Sequence, residues 1–339
     1  MCKRKFEKYQ CKARIIAHYF VLRHSVLDNK AIIDFAFSVI GPVILLIAFG
    51  YGLYKSGLMT DDFVERASRL IFNFALPALL FTTISKNNVD AMSQLNILII
   101  GVLGTVAICA IMMLISPFLV TRRSDRGVVI QGAFRSNMGI IGLAYCSNAY
   151  GDAGLALGSI YLGAMTITYN IISVGILNFY LDSKTSFIKV VKGVISNPII
   201  LSIVAALLVS TFNIEIPNIA LNSLGYFAQL TLPLALLCTG AALRFSSFRS
   251  DAKAAALSIF VKCLVYPSVI VLAAIYFDIS GIKLGIVYLM SIAPTAAASY
   301  VMVRKIGGNH QLAAHIIAIS TILSVPITIV GYTLLAAYL

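Results

Sequence analysis

The sequence predicts an all-α integral membrane protein: ten transmembrane helices in two inverted five-helix repeats, with the fourth and ninth helices broken and crossing. Three observations lead there. Composition is the first. Of 339 residues, 60% are hydrophobic and only 12% are charged, against about half and about a quarter in a soluble domain. That balance disfavours a soluble enzyme, and 23 Gly and 9 Pro in no fixed period disfavour a fibrous or disordered chain. The second observation is a series of apolar runs, each near the roughly 20 residues that a spanning helix needs. They fall at 35–54, 66–85, 95–119, 128–149, 154–181, 195–212, 220–243, 255–277, 282–303 and 310–338. The third is a weak internal repeat. A shift of 156 residues lays Gly41-Pro42-Val43 on Asn197-Pro198-Ile199, and Leu76-Pro77-Ala78-Leu79-Leu80 on Leu232-Pro233-Leu234-Ala235-Leu236. A shift of 157 lays Asn137 on Pro294. Each half then holds five spans, an odd number, so the halves enter the membrane in opposite orientations.

The chain divides accordingly into a basic N-terminal tail (1–34), a first repeat (35–181), a cytoplasmic linker (182–194) and a second repeat (195–339). The tail carries eight Lys and Arg, and its one apolar run, 15–22, is too short to span. It reads as dispensable: an interfacial basic helix, or a start assigned too far upstream. Charge in the loops sets the orientation. Loops after odd-numbered spans hold fourteen Lys and Arg, those after even-numbered spans only Lys86 and Lys283. Lys and Arg in short loops stay in the cytoplasm, so this is expected to be a multi-pass protein of the cell membrane with both termini on the non-cytoplasmic side. The tail's own charges oppose that assignment. The net charge of +13 lies between apolar runs and does not mark a nucleic-acid binder. The six Cys show neither CxxC nor metal-ligand spacing and read as structural.

In inverted-repeat carriers the substrate sits near mid-membrane, where spans are interrupted and helix ends point at it. The fourth span joins Ser136-Asn137 to Gly132, Gly139 and Gly142, which is unusual for a lipid-facing helix. Its repeat partner carries Pro294, which lacks a donor and disfavours helix at Ala293. Asn137 can donate and accept hydrogen bonds without charge, which suits an incoming carboxylate, although an amide can also simply hold two helices together. Arg135 can meet the substrate or snorkel to the interface. Lys262, near the middle of the eighth span, has no acid deep in any span to pair with. It is expected to be neutral, to contact backbone carbonyls, or to attract an anion. Further interior polar candidates are Asn170, Thr168, Thr239, Asn73 and Gln229. The last two stand four residues before Pro77 and Pro233; they can hold Na+ or, by preference, satisfy the carbonyl each proline frees. Pro77, Pro233, Gly139 and Gly142 are read as structural breaks. Asp152 is read as the cap of the following helix, and His315 as a structural histidine.

These residues, taken in order, resemble the bacterial branch of the auxin efflux carrier family of permeases. The matching pieces are Gly50-Tyr51-Gly52-Leu53; Arg69 to Asn73 with Leu76 to Phe81; Ser136-Asn137-Met138-Gly139-Ile140-Ile141-Gly142-Leu143; Asn197-Pro198; Leu232 to Leu236 with Thr239-Gly240-Ala241; and Ala293-Pro294 with Ser320-Thr321. The resemblance spans about 36–338. It implies a fold related to bile-acid/sodium symporters, in which a scaffold and a transport domain move past each other. It implies organic anions as cargo, carboxylates such as malate, malonate or auxin-like acids, and gives Asn137 the contact with the carboxylate. The long cytoplasmic loop of plant members is absent, and no second Asn follows Pro294.

The expected function is therefore a secondary transporter of a small organic anion by alternating access, and not an enzyme. Its substrate-binding candidates are Asn137, Ser136, Pro294, Asn170, Arg135 and Lys262, with Asn73 and Gln229 as ion-binding candidates. Partners are the anion, H+ or Na+ as coupling ion, the lipid bilayer and, as an allowed state, a second copy of the chain in a homodimer. No cofactor or nucleic acid is expected. A Na+-coupled symporter of the bile-acid type is the alternative. An integral-membrane enzyme or receptor is the alternative from another class; it would need a His/Asp cluster, which His18, His24, His310 and His315 do not form, or an appended cytoplasmic domain.

Overall fold

Hydrocarbon offers the backbone no hydrogen-bond partners, so apolar runs of this length can cross it only as helices that satisfy their own peptide groups. The structure, a computed structural model, describes residues 34–87, 92–181, 187–243, 252–335 and 338–339. Nearly all of the N-terminal tail and the first five residues of the linker lie outside the described residues. Among the described residues seven helices are long and apolar enough to cross a membrane: α1 (Ala36–Lys55), α2 (Asp61–Asn87), α3 (Met92–Leu119), α5 (Met138–Leu181), α8 (Asn218–Ala241), α9 (Ala252–Tyr276) and α12 (His310–Leu335). Between them stand the shorter α4 (Arg123–Phe134), α6 (Phe187–Ile195), α7 (Pro198–Thr211), α10 (Gly281–Ile292) and α11 (Ala298–Ile306).

The boundaries follow local chemistry. Helix α2 begins five residues before the expected apolar run. The Thr60 side chain accepts from the Phe63 N–H at 3.3 Å, and Asp61 and Asp62 occupy the first turn, where negative charge opposes the helix dipole favourably. Asn197 caps α7 by accepting from the Ile199 N–H at 2.9 Å, with Pro198 in the first turn. Helix α5 turns sharply at Gly151, whose φ of 60° and ψ of −145° suit glycine alone. The turn separates arms 138–150 and 152–181, which correspond to the end of the fourth expected span and to the fifth. Asp152, expected to cap the second arm, is exposed beside this turn and makes no capping hydrogen bond.

Pro77 and Pro233 are not breaks. Each lies inside a continuous helix, and a π-helical turn, Ile71–Ala75, ends two residues before Pro77. One lost backbone bond does not end a helix whose flanks are packed on neighbours. Gly139 and Gly142 lie in the π-helical turn Met138–Gly142 that opens α5, just past the interruption. The role of Gly142 is close approach: a Cβ there would meet Met290 Sδ at 2.7 Å.

Two groups of helices emerge from the packing. In one, α1 lies on α8 and α2 on both α7 and α8. The α1–α8 contact is backbone to backbone. A Cβ on Gly50 would stand 2.1 Å from the Leu237 carbonyl oxygen, and one on Gly240 would stand 1.9 Å from that of Ile47. Small residues let membrane helices approach this closely and gain dispersion energy along their length. In the other group α9 packs on α3, α4, α10 and α12, and α10 on α5. Large apolar side chains such as Phe37, Phe49, Phe74, Leu103, Leu114 and Phe118 are exposed on the outer faces, as a lipid-facing surface requires.

Candidate functional site

Helix α4 stops at Phe134, and α10 stops at Ile292. Both stops have a chemical cause. Pro294 contributes no N–H and pushes Ala293 to φ −48°, ψ 136°, out of the helical region. On the other side Ser136 and Asn137, short polar residues that compete for backbone bonds, follow Arg135 in extended geometry at φ −74°, ψ 93°. The two interruptions meet and satisfy each other. Asn137 N–H donates to the Pro294 carbonyl at 2.7 Å, and Ala296 N–H donates to the Arg135 carbonyl at 2.8 Å. The result is a short antiparallel bridge between Ser136 and Thr295.

Hydroxyl groups close most of the backbone valences left over. Thr295 Oγ1 donates to the Gly132 carbonyl at 2.8 Å, and Ser258 Oγ to that of Val129 at 2.9 Å, both near the end of α4. Thr295 N–H donates to Ser320 Oγ at 3.1 Å. Ser136 Oγ donates to the Ser291 carbonyl at 3.1 Å. At this depth each bond replaces one that water cannot supply.

Two cations attend the crossing. Lys262 has no exposed surface; its ammonium donates to Ser136 Oγ at 2.5 Å and to the Ser291 carbonyl at 2.6 Å, and lies 4.6 Å from the centre of the Tyr266 ring. Of its three expected roles, the structure shows contact with a backbone carbonyl. Arg135 is 8% exposed. Its Nη2 donates to Asn170 Oδ1 at 3.0 Å and its Nη1 to Ser173 Oγ at 3.2 Å, while Nε is buried without a partner. It does not snorkel as an anchor would. Among the described residues the one buried carboxylate is Asp125, in the first turn of α4, bound by Asn309 Nδ2 at 3.2 Å. Asp125 lies ten residues from Arg135, about 15 Å of helix. The Asn137 side chain is 7% exposed and makes no hydrogen bond with the described residues.

The structure thus gathers Ser136, Asn137, Arg135, Pro294 and Lys262 around one bridge and joins Asn170 to it through Arg135. Asn73 and Gln229 stay outside. Both are exposed, and neither satisfies a carbonyl freed by proline. Thr168 and Thr239 bond carbonyls of their own helices, those of Ala164 and Ala235. Thr295, Ser258, Ser291 and Ser173 were not singled out by the sequence, and Ser320 only as part of the family resemblance; the signal available was the position of Ser291 and Thr295 on either side of Pro294. Gln131, one turn before Arg135, was missed too. It is fully buried, its Nε2 touches Met302 Sδ at 3.2 Å, and its Oε1 has no partner.

Comparison with known proteins adds an independent line. The sequence profile described as membrane transport protein matches residues 35–188 and 183–332. The chain belongs to the auxin efflux carrier family. Similar family members include an uncharacterised transporter of Methanothermobacter thermautotrophicus, 22% identical over 294 residues, covering 83% of this chain and 92% of the relative. An uncharacterised transporter of Methanocaldococcus jannaschii is 22% identical over 275 residues, covering 77% and 86%. A third, from Escherichia coli, is 21% identical over 271 residues, covering 78% and 86%. This family member is accordingly a multi-pass membrane transport protein, and its family points away from an enzyme.

Proposed function

We propose that this family member is a secondary carrier that moves a small organic anion, a carboxylate such as malate, malonate or an auxin-like acid, across the cell membrane by alternating access. One observation carries the reading. Two neighbouring residues at the crossing, Arg135 and Asn137, are more than nine-tenths buried, and among the described residues Arg135 meets no carboxylate and the Asn137 side chain no hydrogen-bond partner. Among the described residues Arg135 has no counter-charge and a buried Nε without a partner, and the Asn137 amide makes no hydrogen bond. A buried unpaired cation is costly, and a carboxylate arriving from water supplies what both lack: charge for the guanidinium and acceptor oxygens for the two donors. The first turn of α5, whose N–H groups start at Met138 without a side-chain cap, adds a positive helix end beside Asn137.

The wider architecture is read with it. Residues 35–181 and 195–339 form two inverted five-helix repeats joined by 182–194, with both chain ends on the non-cytoplasmic side. The reciprocal packing of α1 on α8 and α2 on α7 supports this, because each contact pairs a helix of one repeat with a helix of the other. The group of α1, α2, α7 and α8 then serves as scaffold, and the group holding the crossing as the moving part.

The test is flux. Purified protein in proteoliposomes is expected to carry radiolabelled malate, malonate or indole acetate above the empty-vesicle rate, with imposed pH and Na+ gradients applied separately, and not to carry malonamide. Absence of flux for every carboxylate would remove the cargo assignment.

A further inference from the structure

We propose that the Lys262 ammonium is a resident cation of the crossing: it occupies the place where a Na+ ion would otherwise bind, so the crossing carries no Na+ site. The inference concerns a different group from the one assigned to cargo and does not depend on what the cargo is.

Interrupted helices in membrane carriers expose carbonyl oxygens, and such oxygens at a helix C-terminus are where Na+ is coordinated. Here the oxygens are present. Ser291 is the penultimate residue of α10, and in a continuous helix its carbonyl would accept from Thr295 N–H. That N–H is instead taken by Ser320 Oγ. The freed Ser291 carbonyl, at the negative end of the α10 dipole, accepts from both Lys262 Nζ and Ser136 Oγ. Ser136 Oγ in turn accepts from Lys262. The Tyr266 ring, 4.6 Å away, offers its negative face to the same ammonium.

These ligands are a carbonyl, a hydroxyl and an aromatic face, with no carboxylate among them. That is the environment of a bound cation, not of an ion pair. Lys262 reaches it from a π-helical turn, Val261–Val265, in the middle of α9; such widened turns recur at functional sites. A Na+ ion in the same place would stand within a few ångströms of the ammonium with little solvent between them, and that repulsion excludes it. The tethered charge also holds Ser136, the residue directly between Arg135 and Asn137, against α10.

The test is the thermal unfolding of the purified full-length chain in detergent, with choline chloride as the ionic-strength control. An ion that binds only the folded state raises the midpoint. The wild type is expected to show the same midpoint in NaCl and in choline chloride. Lys262→Ala, which removes stem and charge, is expected to unfold earlier and to be shifted back by propylammonium chloride, which supplies both. Lys262→Met, which keeps the stem's bulk without charge, is expected to unfold earlier and to ignore propylammonium. Wild-type stability in the Met variant would overturn the proposal, because the charge would then hold nothing. A Na+-specific rise in the wild-type midpoint would overturn it as well, and that arm decides the question even if neither variant accumulates. No cargo is present in any arm, so failure here leaves the anion assignment standing, and the reverse also holds.

Discussion

Arg135 and Asn137 differ from the other polar residues of the bundle in what they leave unused. Thr82, Thr105, Thr168 and Thr239 each donate to the carbonyl four residues earlier in their own helix, a common way for a hydroxyl to sit in a membrane span. Arg135 keeps a buried Nε idle instead. Hydrogen bonds to charged groups contribute about 1.5–3 kcal/mol, and every 1.4 kcal/mol is about tenfold in affinity. Arg135→Gln is therefore expected to lower the initial rate of carboxylate uptake at limiting substrate by about tenfold or more. Arg135→Lys, which keeps the charge but loses the planar fork, should fall between the two. Uptake by the Gln variant at the wild-type rate would separate Arg135 from the cargo. The same contrast explains what the sequence shows and hides. Lys262 stands out because a charge is rare near the middle of an apolar run, and Asn137 and Pro294 because the internal repeat lays one on the other. Thr295 and Ser258 look like Thr82 in sequence, and only the tertiary fold reveals that their hydroxyls reach across to α4.

At the level of helices, hydropathy locates the spans but not their ends or interruptions. The first turn of α2 is charged, with Arg66 and Arg69 paired to Asp62 and Glu65 at the surface, so a window tuned to apolar residues starts the helix too late. Proline misleads in both directions. Pro294 stops a helix because Thr295 N–H and the neighbouring carbonyls find partners elsewhere; Pro233 does not, and α8 is held against α1 just beyond it, at Leu237 and Gly240. That contact makes a prediction. A side chain at Gly240 would collide with the Ile47 backbone, which cannot yield as a flexible side chain does. Gly240→Val is expected to destabilise the fold by about 1–3 kcal/mol, the usual cost of overpacking, read as a lower unfolding midpoint. Gly175→Ala, where a Cβ meets nothing within 4 Å, should be neutral or slightly stabilising. Equal midpoints for the two variants would contradict the close α1–α8 contact.

For the whole molecule, the unequal distribution of Lys and Arg between alternate loops carries the proposed orientation. Reporter fusions ending at residues 123 and 187 are expected to report the cytoplasm, and those ending at 152 and 280 the outside. A cytoplasmic signal at 152 would break the proposed pairing of inverted halves. The proposed internal repeat is faint in sequence and rests on a few aligned pairs, such as Pro42 with Pro198 and Pro77 with Pro233. The meeting of the two interruptions was expected from that alignment, but the bridge between Ser136 and Thr295 was not, because the shift of 157 pairs Asn137 with Pro294 and says nothing about backbone bonds between them.

An anion received where α4 and α10 stop is tested most directly by Asn137→Ala. The variant and the wild type should be purified, compared by thermal unfolding and assayed side by side for carboxylate uptake in proteoliposomes. Removal of an amide that bonds nothing among the described residues is predicted to leave the unfolding midpoint nearly unchanged while uptake falls to the empty-vesicle level. Uptake by the folded variant at the wild-type rate would contradict the account.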